Sequence, residues 1–366
     1  MGHFRKECIS FLMTNACNMR CSYCYLGDKK SMPGDKGAER IDLDFAKKGL
    51  EDFFSQSKSR SIRYFGEGEP TIEIEQMKQI QKYAKELAGN ELVTELQTNG
   101  FFGMDIAKWC KENLDIIWIS MDGIPEVHDC HRRTIGDDGT SHIIERNIKF
   151  LANNGVTVGI RSTIGRMNID RQKENIDYFS KLGIKAIFAD HLCVPVGKDA
   201  HETSDLIEVQ PIEFADKFLE AKRYANDKDI FYSNFLCVNF DEPVEIACRA
   251  MLPAPHLTPN GYVSCCDMAT RPDGVLDDLL YGKYDEISKE IMYDHEKINK
   301  IRSRRKCNIP ECQSCDAVDN CAGGCLGEAL NETKDFYKVK KNLCEVTRYL
   351  AKILKSDNGL YKFIHP

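Results

Sequence analysis

The chain has 366 residues, 42% hydrophobic and 29% charged, which is the make-up of a globular protein with room for one large domain or two ordinary ones. Its net charge of −7 argues against a nucleic-acid-binding surface, which would be basic. No apolar run approaches the roughly 18 residues that cross a bilayer, and the apolar stretch at 9–13 is too brief for a signal peptide, so a cytoplasmic protein with no membrane partner is expected.

In chain order, short apolar runs at 9–13, 62–65, 92–96, 116–119, 156–160 and 184–189 predict strands. Helical periodicity covers 42–55, 74–87, 105–112, 141–153 and 170–182 between them. Strands alternating with helices of this length predict parallel βα units, and the six strands predict an α/β partial (β/α)6 barrel. In such barrels the chemistry sits at the C-terminal ends of the strands, where residues 17–24, 66–70, 98–100 and 120–123 fall. Past about 195 the pattern changes. Residues 211–227 read as a helix, and from 248 onward cysteine, glycine and proline become dense, with no long periodic segment until 342–355. The expected division is a barrel over 1–195, a bridging region over 196–247, and a cysteine-rich domain with a terminal helix over 248–366. The basic run at 302–306 reads as a solvated turn before Cys307.

Seventeen cysteines in a chain without a secretion signal point to metal or cluster ligation rather than disulfides. Cys17, Cys21 and Cys24 form a CxxxCxxC loop after the first strand. Three thiolates can bind three irons of a [4Fe–4S] cube and leave the fourth iron open to a substrate. S-adenosylmethionine (SAM) suits that position, because its amino and carboxylate groups can chelate one iron. The competing reading is a zinc knuckle, but structural zinc wants four ligands and no fourth Cys or His lies nearby.

The segment Cys17-Asn18-Met19-Arg20-Cys21-Ser22-Tyr23-Cys24 resembles the signature of the radical SAM enzymes. The resemblance implies that Tyr23 packs on the adenine. It also implies that a Gly-Gly-Glu-Pro segment binds the SAM amino group; here Gly68-Glu69-Pro70 aligns, with Glu67 in place of the first glycine. Further segments resemble the peptide-modifying branch of the family. Asn99 lies in a T-N-G turn, Ile119 to Gly123 match I-S-x-D-G, and His128 to Arg132 match H-D-x-x-R. Arg161 resembles an arginine that reaches the SAM carboxylate, with Ser120 nearby. The alternative for Ser120, Asp122 and His128 is structural turn chemistry.

Toward the C-terminus, Cys248, Cys266, Cys312, Cys315, Cys321, Cys325 and Cys344 resemble the seven-cysteine pattern of the SPASM domain. The resemblance implies two auxiliary iron–sulfur clusters. Cys312, Cys315, Cys321 and Cys344 would hold the outer one, and Cys248, Cys266 and Cys325 the inner one. Cys237 or Cys265 would supply the missing inner ligand, Cys237 being preferred; the alternatives are an iron open to a substrate group and a smaller cluster. Zinc ribbons are the chemical alternative, since four-cysteine sites suit zinc too. Asp267, beside Cys266, aligns with the proposed base of sulfatase-maturing relatives, and Cys193 is placed to donate a hydrogen atom to a substrate radical.

These features predict a radical SAM enzyme that cleaves SAM to a 5′-deoxyadenosyl radical and oxidises a peptide, by cross-linking or dehydrogenation. A radical dehydrogenase or epimerase of a small molecule, and a zinc-binding or electron-transfer module, are the alternatives. A flavodoxin- or ferredoxin-like reductant is expected. With only 16 residues before Cys17, a leader peptide would need a separate binding protein or the catalytic domain itself.

Overall fold

A computed structural model describes residues 7–24, 31–192, 209–236, 243–272 and 274–357. Six strands, β1 (Ile9–Leu12), β2 (Ser61–Phe65), β3 (Val93–Thr98), β4 (Ile116–Ser120), β5 (Thr157–Ile164) and β6 (Ala186–His191), pair in parallel in chain order. The connecting helices are α1 (Leu43–Gln56), α2 (Ile74–Ala88), α3 (Met104–Asn113), α4 (Pro125–His131), α5 (Ser141–Asn153) and α6 (Gln172–Lys181). The α/β expectation holds, and most predicted elements start or end within two residues of their observed bounds. β5 runs four residues past the predicted 160, to Ile164.

Burial explains the pattern. All four residues of β1 are buried, as in a strand covered on both faces. α1 turns Phe45, Ala46, Gly49, Leu50 and Phe53 inward at helical spacing, and the Asp42 carboxylate caps it by accepting from Phe45 N at 2.8 Å.

The sheet does not stop at six strands. β7 (Phe231–Ser233) pairs in parallel with β6 after α7 (Pro211–Asn226). On the other side β8 (His256–Leu257) lies parallel to β1, with Ser10 opposite His256. β9 (Tyr262–Ser264), β10 (Leu280–Asp285) and β11 (Glu290–Tyr293) extend it as an antiparallel meander. The order is β11-β10-β9-β8-β1-β2-β3-β4-β5-β6-β7, an open sheet with two edges.

The cysteine-rich segment also holds more helix than expected: α8 (His295–Ser303), α9 (Val318–Cys321), α10 (Leu326–Thr333) and α11 (Lys341–Ser356). One apolar core runs through the chain, from Ile9 and Leu96 to Leu257, Leu326 and Leu350. Among the described residues no helix is long and apolar enough to cross a membrane.

Candidate active site

The loop after β1 carries Cys17, Cys21 and Cys24, and all three line a cavity of about 430 Å³ at the C-terminal ends of the parallel strands. Cys17 is buried and the other two are half-buried. The loop is gripped from two sides. On one, Gly68 N donates to Thr14 O at 2.9 Å and Glu69 N to Ala16 O at 2.8 Å. A Cβ on residue 68 would lie 1.8 Å from the Ala16 carbonyl oxygen, so the motif glycine is what permits this approach. On the other, Arg20 N donates to Arg133 O at 2.8 Å and Ser22 N to His131 O at 3.0 Å.

Glu69 lines the cavity but is also a buried hub. Its Oε1 accepts from Thr98 Oγ1 at 2.6 Å and Thr71 Oγ1 at 2.7 Å, and its Oε2 from Asn99 N at 2.7 Å. Burial pushes its carboxyl up against the pull of those bonds. Asn99 then donates from Nδ2 to Asn18 Oδ1 at 2.9 Å, tying the T-N-G turn to the cysteine loop. Pro70 begins a short 3-10 turn capped by Glu69 and is buried.

Tyr23 lines the cavity and donates its hydroxyl to Asp122 Oδ2, while the Arg132 guanidinium lies 5.3 Å from its ring centroid. Arg132 Nε donates to the same Asp122 oxygen at 2.9 Å, and Thr163 N donates to Asp122 Oδ1 at 3.0 Å. Burial would raise the Asp122 carboxyl, but Arg132 and His128 hold it below the usual range. His128 Nδ1 accepts from Asp122 N at 3.3 Å, and its Nε2 meets Thr140 Oγ1 at 3.0 Å. Asp122 thus holds Tyr23, and His128 joins Asp122 to Thr140, contacts of the structural kind that was one of the two readings for these residues.

Ser120 and Arg161 are register partners on β4 and β5, and both line the cavity. Arg161 Nη2 donates to Asp190 Oδ2 at 2.6 Å, and Asp190 Oδ1 accepts from Phe235 N at 2.8 Å. Asp190 and His191, at the end of β6, also face the cavity. Sequence reasoning missed them, although their place at a barrel strand end was the available signal.

Asp267 reaches the same cavity from the cysteine-rich segment. Arg63 Nη2 donates to its Oδ1 at 2.6 Å, and His256 Nδ1 lies 2.8 Å from that oxygen. Burial would raise its carboxyl, but Arg63 and His256 hold it far below the ordinary carboxylate range. The Arg63 anchor was not legible, because its partner is 204 residues distant in sequence.

The C-terminal cysteines gather in two sets. Burial pushes the Cys344 thiol up to about 12, and its next strongest influences are Cys321, Cys312 and Cys315. Likewise Cys325 is pushed up to about 12 by burial and then by Cys248, and Cys266 is raised by burial and then by Cys325 and Cys265. None of the described cysteines forms a disulfide. Among the described residues no three Cys, His, Asp or Glu side chains converge tightly enough to hold one bare ion. Crowded, buried thiols with raised pKa values are a donor set that a cationic cluster core would ionise. The N-terminal triad facing a cavity with Arg161 on its wall likewise suits a cluster with a carboxylate-bearing ligand. Cys193 and Cys237 lie outside the described residues.

Residues 11–179 match the family model described as the Radical SAM superfamily. A cysteine-type anaerobic sulfatase-maturating enzyme of Clostridium novyi (strain NT) is 24% identical over 364 residues, covering 92% of this chain and 95% of that protein. The solved structure of native anSMEcpe with bound AdoMet and Cp18Cys peptide matches with a TM-score of 0.71 at 18% identity, over 95% of this chain and 99% of that one. Streptococcus suis SuiB bound to precursor peptide SuiA matches with a TM-score of 0.65 at 15% identity, over 93% and 76% of the two chains. At these identities the solved structures establish the fold. The residues matched by the family model include the cysteine triad and every barrel strand end from β2 to β5, so a radical SAM domain lies within residues 11–179, and such a domain implies a [4Fe–4S] cluster and SAM.

Proposed function

We propose that this protein oxidises a residue within a peptide by radical SAM chemistry. The observation that carries the reading is the shared cavity, which Cys17, Cys21 and Cys24 line together with Asp267, the neighbour of Cys266. A [4Fe–4S] cluster bound by the triad would hold SAM and supply the electron that splits it to a 5′-deoxyadenosyl radical.

The chain's own residues bind and orient. Tyr23 offers a ring for the adenine, already fixed by Asp122 and Arg132. Gly68, Glu69 and Asn99 would form the wall for the SAM amino group, with Pro70 buried behind them, and Ser120 and Arg161 the wall for its carboxylate. Arg161 spends Nη2 on Asp190, and a guanidinium has five donors in all.

A peptide that has given one hydrogen atom to the deoxyadenosyl radical must lose one more electron and one proton to complete a two-electron oxidation. Asp267 faces the cavity as a carboxylate and is the group placed to take that proton, although its pairing with Arg63 and His256 makes it a weak base. Cys248, Cys266 and Cys325, with Cys237 as fourth ligand, would hold an inner auxiliary cluster, and Cys312, Cys315, Cys321 and Cys344 an outer one; such clusters would supply an acceptor for the electron. The peptide substrate is supported by the maturase relative and by the two peptide-bound structures of similar fold. A flavodoxin- or ferredoxin-like protein would deliver the first electron, and a separate protein could present a leader peptide.

The test is an anaerobic assay of iron-loaded protein with SAM, reductant and peptides carrying a central cysteine or serine. It should give 5′-deoxyadenosine and a peptide lighter by two hydrogens, and Cys24→Ala should give neither. Loaded wild-type protein that forms no deoxyadenosine sinks the reading. A peptide unchanged in mass in ordinary water but heavier by a single deuterium in deuterated water would replace oxidation by epimerisation, with Cys193 as the hydrogen donor.

A further inference from the structure

Of the basic run at 302–306, expected to be a solvated turn, Arg302 and Arg305 are exposed but Arg304 is not. Arg304, just past α8, is 0% exposed and heads the largest fully buried side chains. Its guanidinium donates from Nη1 to Phe336 O and, at 3.0 Å, to Lys338 O, and from Nη2 to Gly323 O at 3.0 Å. Nε is buried with no hydrogen-bond partner. All three acceptors are neutral carbonyls. A buried cation held only in this way is costly unless negative charge stands close by. Once ionised by a cluster, Cys325 and Cys248 of the inner set and Cys312 and Cys321 of the outer would each act on it as negative charges. Gly323, whose carbonyl it holds, lies on the short link between Cys321 of one set and Cys325 of the other.

We propose that Arg304 is a positioning residue between the two auxiliary clusters, where its charge raises the reduction potential of both and its hydrogen bonds fix the link between their ligands. This rests on the auxiliary-cluster reading above. A cluster ligated by four thiolates is an anion that becomes more negative on reduction, so a fixed, desolvated cation nearby favours the reduced form. The same negative charge supplies what the neutral carbonyls around Arg304 lack. A positive charge shared by both sites shifts both potentials in one direction, which keeps electron transfer between them close to balanced.

The experiment begins with iron analysis of the full-length wild type, reconstituted anaerobically. About twelve irons per chain is expected for three cubes, and about four would remove the auxiliary clusters themselves rather than the role of Arg304. Arg304→Gln and Arg304→Lys are then titrated with a reductant and followed by electron paramagnetic resonance. At the wild-type auxiliary midpoint, Arg304→Gln should shift the reduced-to-oxidised ratio at least fivefold toward oxidised, leave the SAM-binding cluster's signal in place, and Arg304→Lys should stay within twofold of wild type. Iron loss by Arg304→Gln alone, with Arg304→Lys fully loaded, would also support the charge. Wild-type potentials in Arg304→Gln, or iron loss in both variants, would overturn the proposal and leave Arg304 a strut.

Discussion

Gly68 and Glu67 are neighbours with opposite constraints. At Gly68 the clash that any Cβ would make is with the Ala16 carbonyl, at 1.8 Å, and backbone on both sides cannot swing away. Gly68→Ala should therefore separate the cysteine loop from the Gly68–Glu69 backbone and weaken the two hydrogen bonds to Thr14 and Ala16. Overpacking of this kind costs about 1–3 kcal/mol, and we expect at least a tenfold loss of deoxyadenosine formation in iron-loaded protein. A wild-type rate would show that the loop yields. The motif glycine was legible because its requirement is local. Glu67 was legible only as a departure from the resembled pattern, since its fully buried carboxylate is explained by Arg271, 204 residues further on. Asp267 is similar. Its proximity to the cavity followed from its place beside Cys266, but not its pairing with Arg63 and His256.

Among the elements, those the sequence announced are the long periodic ones, and those it hid are short. α4 has seven residues and β7 and β9 three each, too few to show a period, so the H-D-x-x-R stretch read as a motif without a helix. In the structure α4 ties the cysteine loop to α5. Asp129 accepts from Thr140 N at 2.8 Å, Ser141 N at 2.9 Å and Ser141 Oγ at 2.6 Å, capping α5, while His128 joins Asp122 to Thr140. Burial pushes the His128 imidazole down to about 4. In the unfolded chain it titrates near ~6.5, so below that pH the unfolded state binds more protons than the folded one. Its contribution to stability is complete above about pH 6.5 and is lost as pH falls toward 4, at up to about 1.4 kcal/mol per unit. Urea denaturation of loaded protein between about pH 7.5 and 5.5 should show this fall in wild type and a shallower one in His128→Gln. Equal slopes in the two proteins would remove His128 from the pH response.

At the scale of the molecule, the cysteine-rich segment completes the sheet of the barrel, because β8 lies beside β1 in parallel register. This junction was beyond sequence reasoning: β8 is two residues long, and its position depends on a partner near the other end of the chain. Arg271 closes the junction on the cavity side. Its Nη2 donates to Glu67 Oε2 at 2.7 Å and to Glu39 Oε2 at 2.8 Å. Glu39 is itself fastened to the cysteine loop, since Thr14 Oγ1 donates to its carbonyl at 2.7 Å and its N–H donates to Asn15 Oδ1 at 3.0 Å. One guanidinium therefore joins the loop that follows Asp267, the segment that grips the cysteine loop, and the strand of chain returning from it. Arg271→Met would leave the Glu67 carboxylate buried without this cation, and breaking a buried pair from one side costs about 3–5 kcal/mol. Replacing both partners removes the stranded charge, so Glu67→Gln with Arg271→Met should be more stable than Arg271→Met alone and should regain SAM cleavage lost by it. Chemical denaturation and deoxyadenosine yield across the four proteins measure the coupling. Strictly additive effects would mean that the two residues act separately, and that the barrel and the cysteine-rich segment are held in register by the β1–β8 pairing and the shared apolar core.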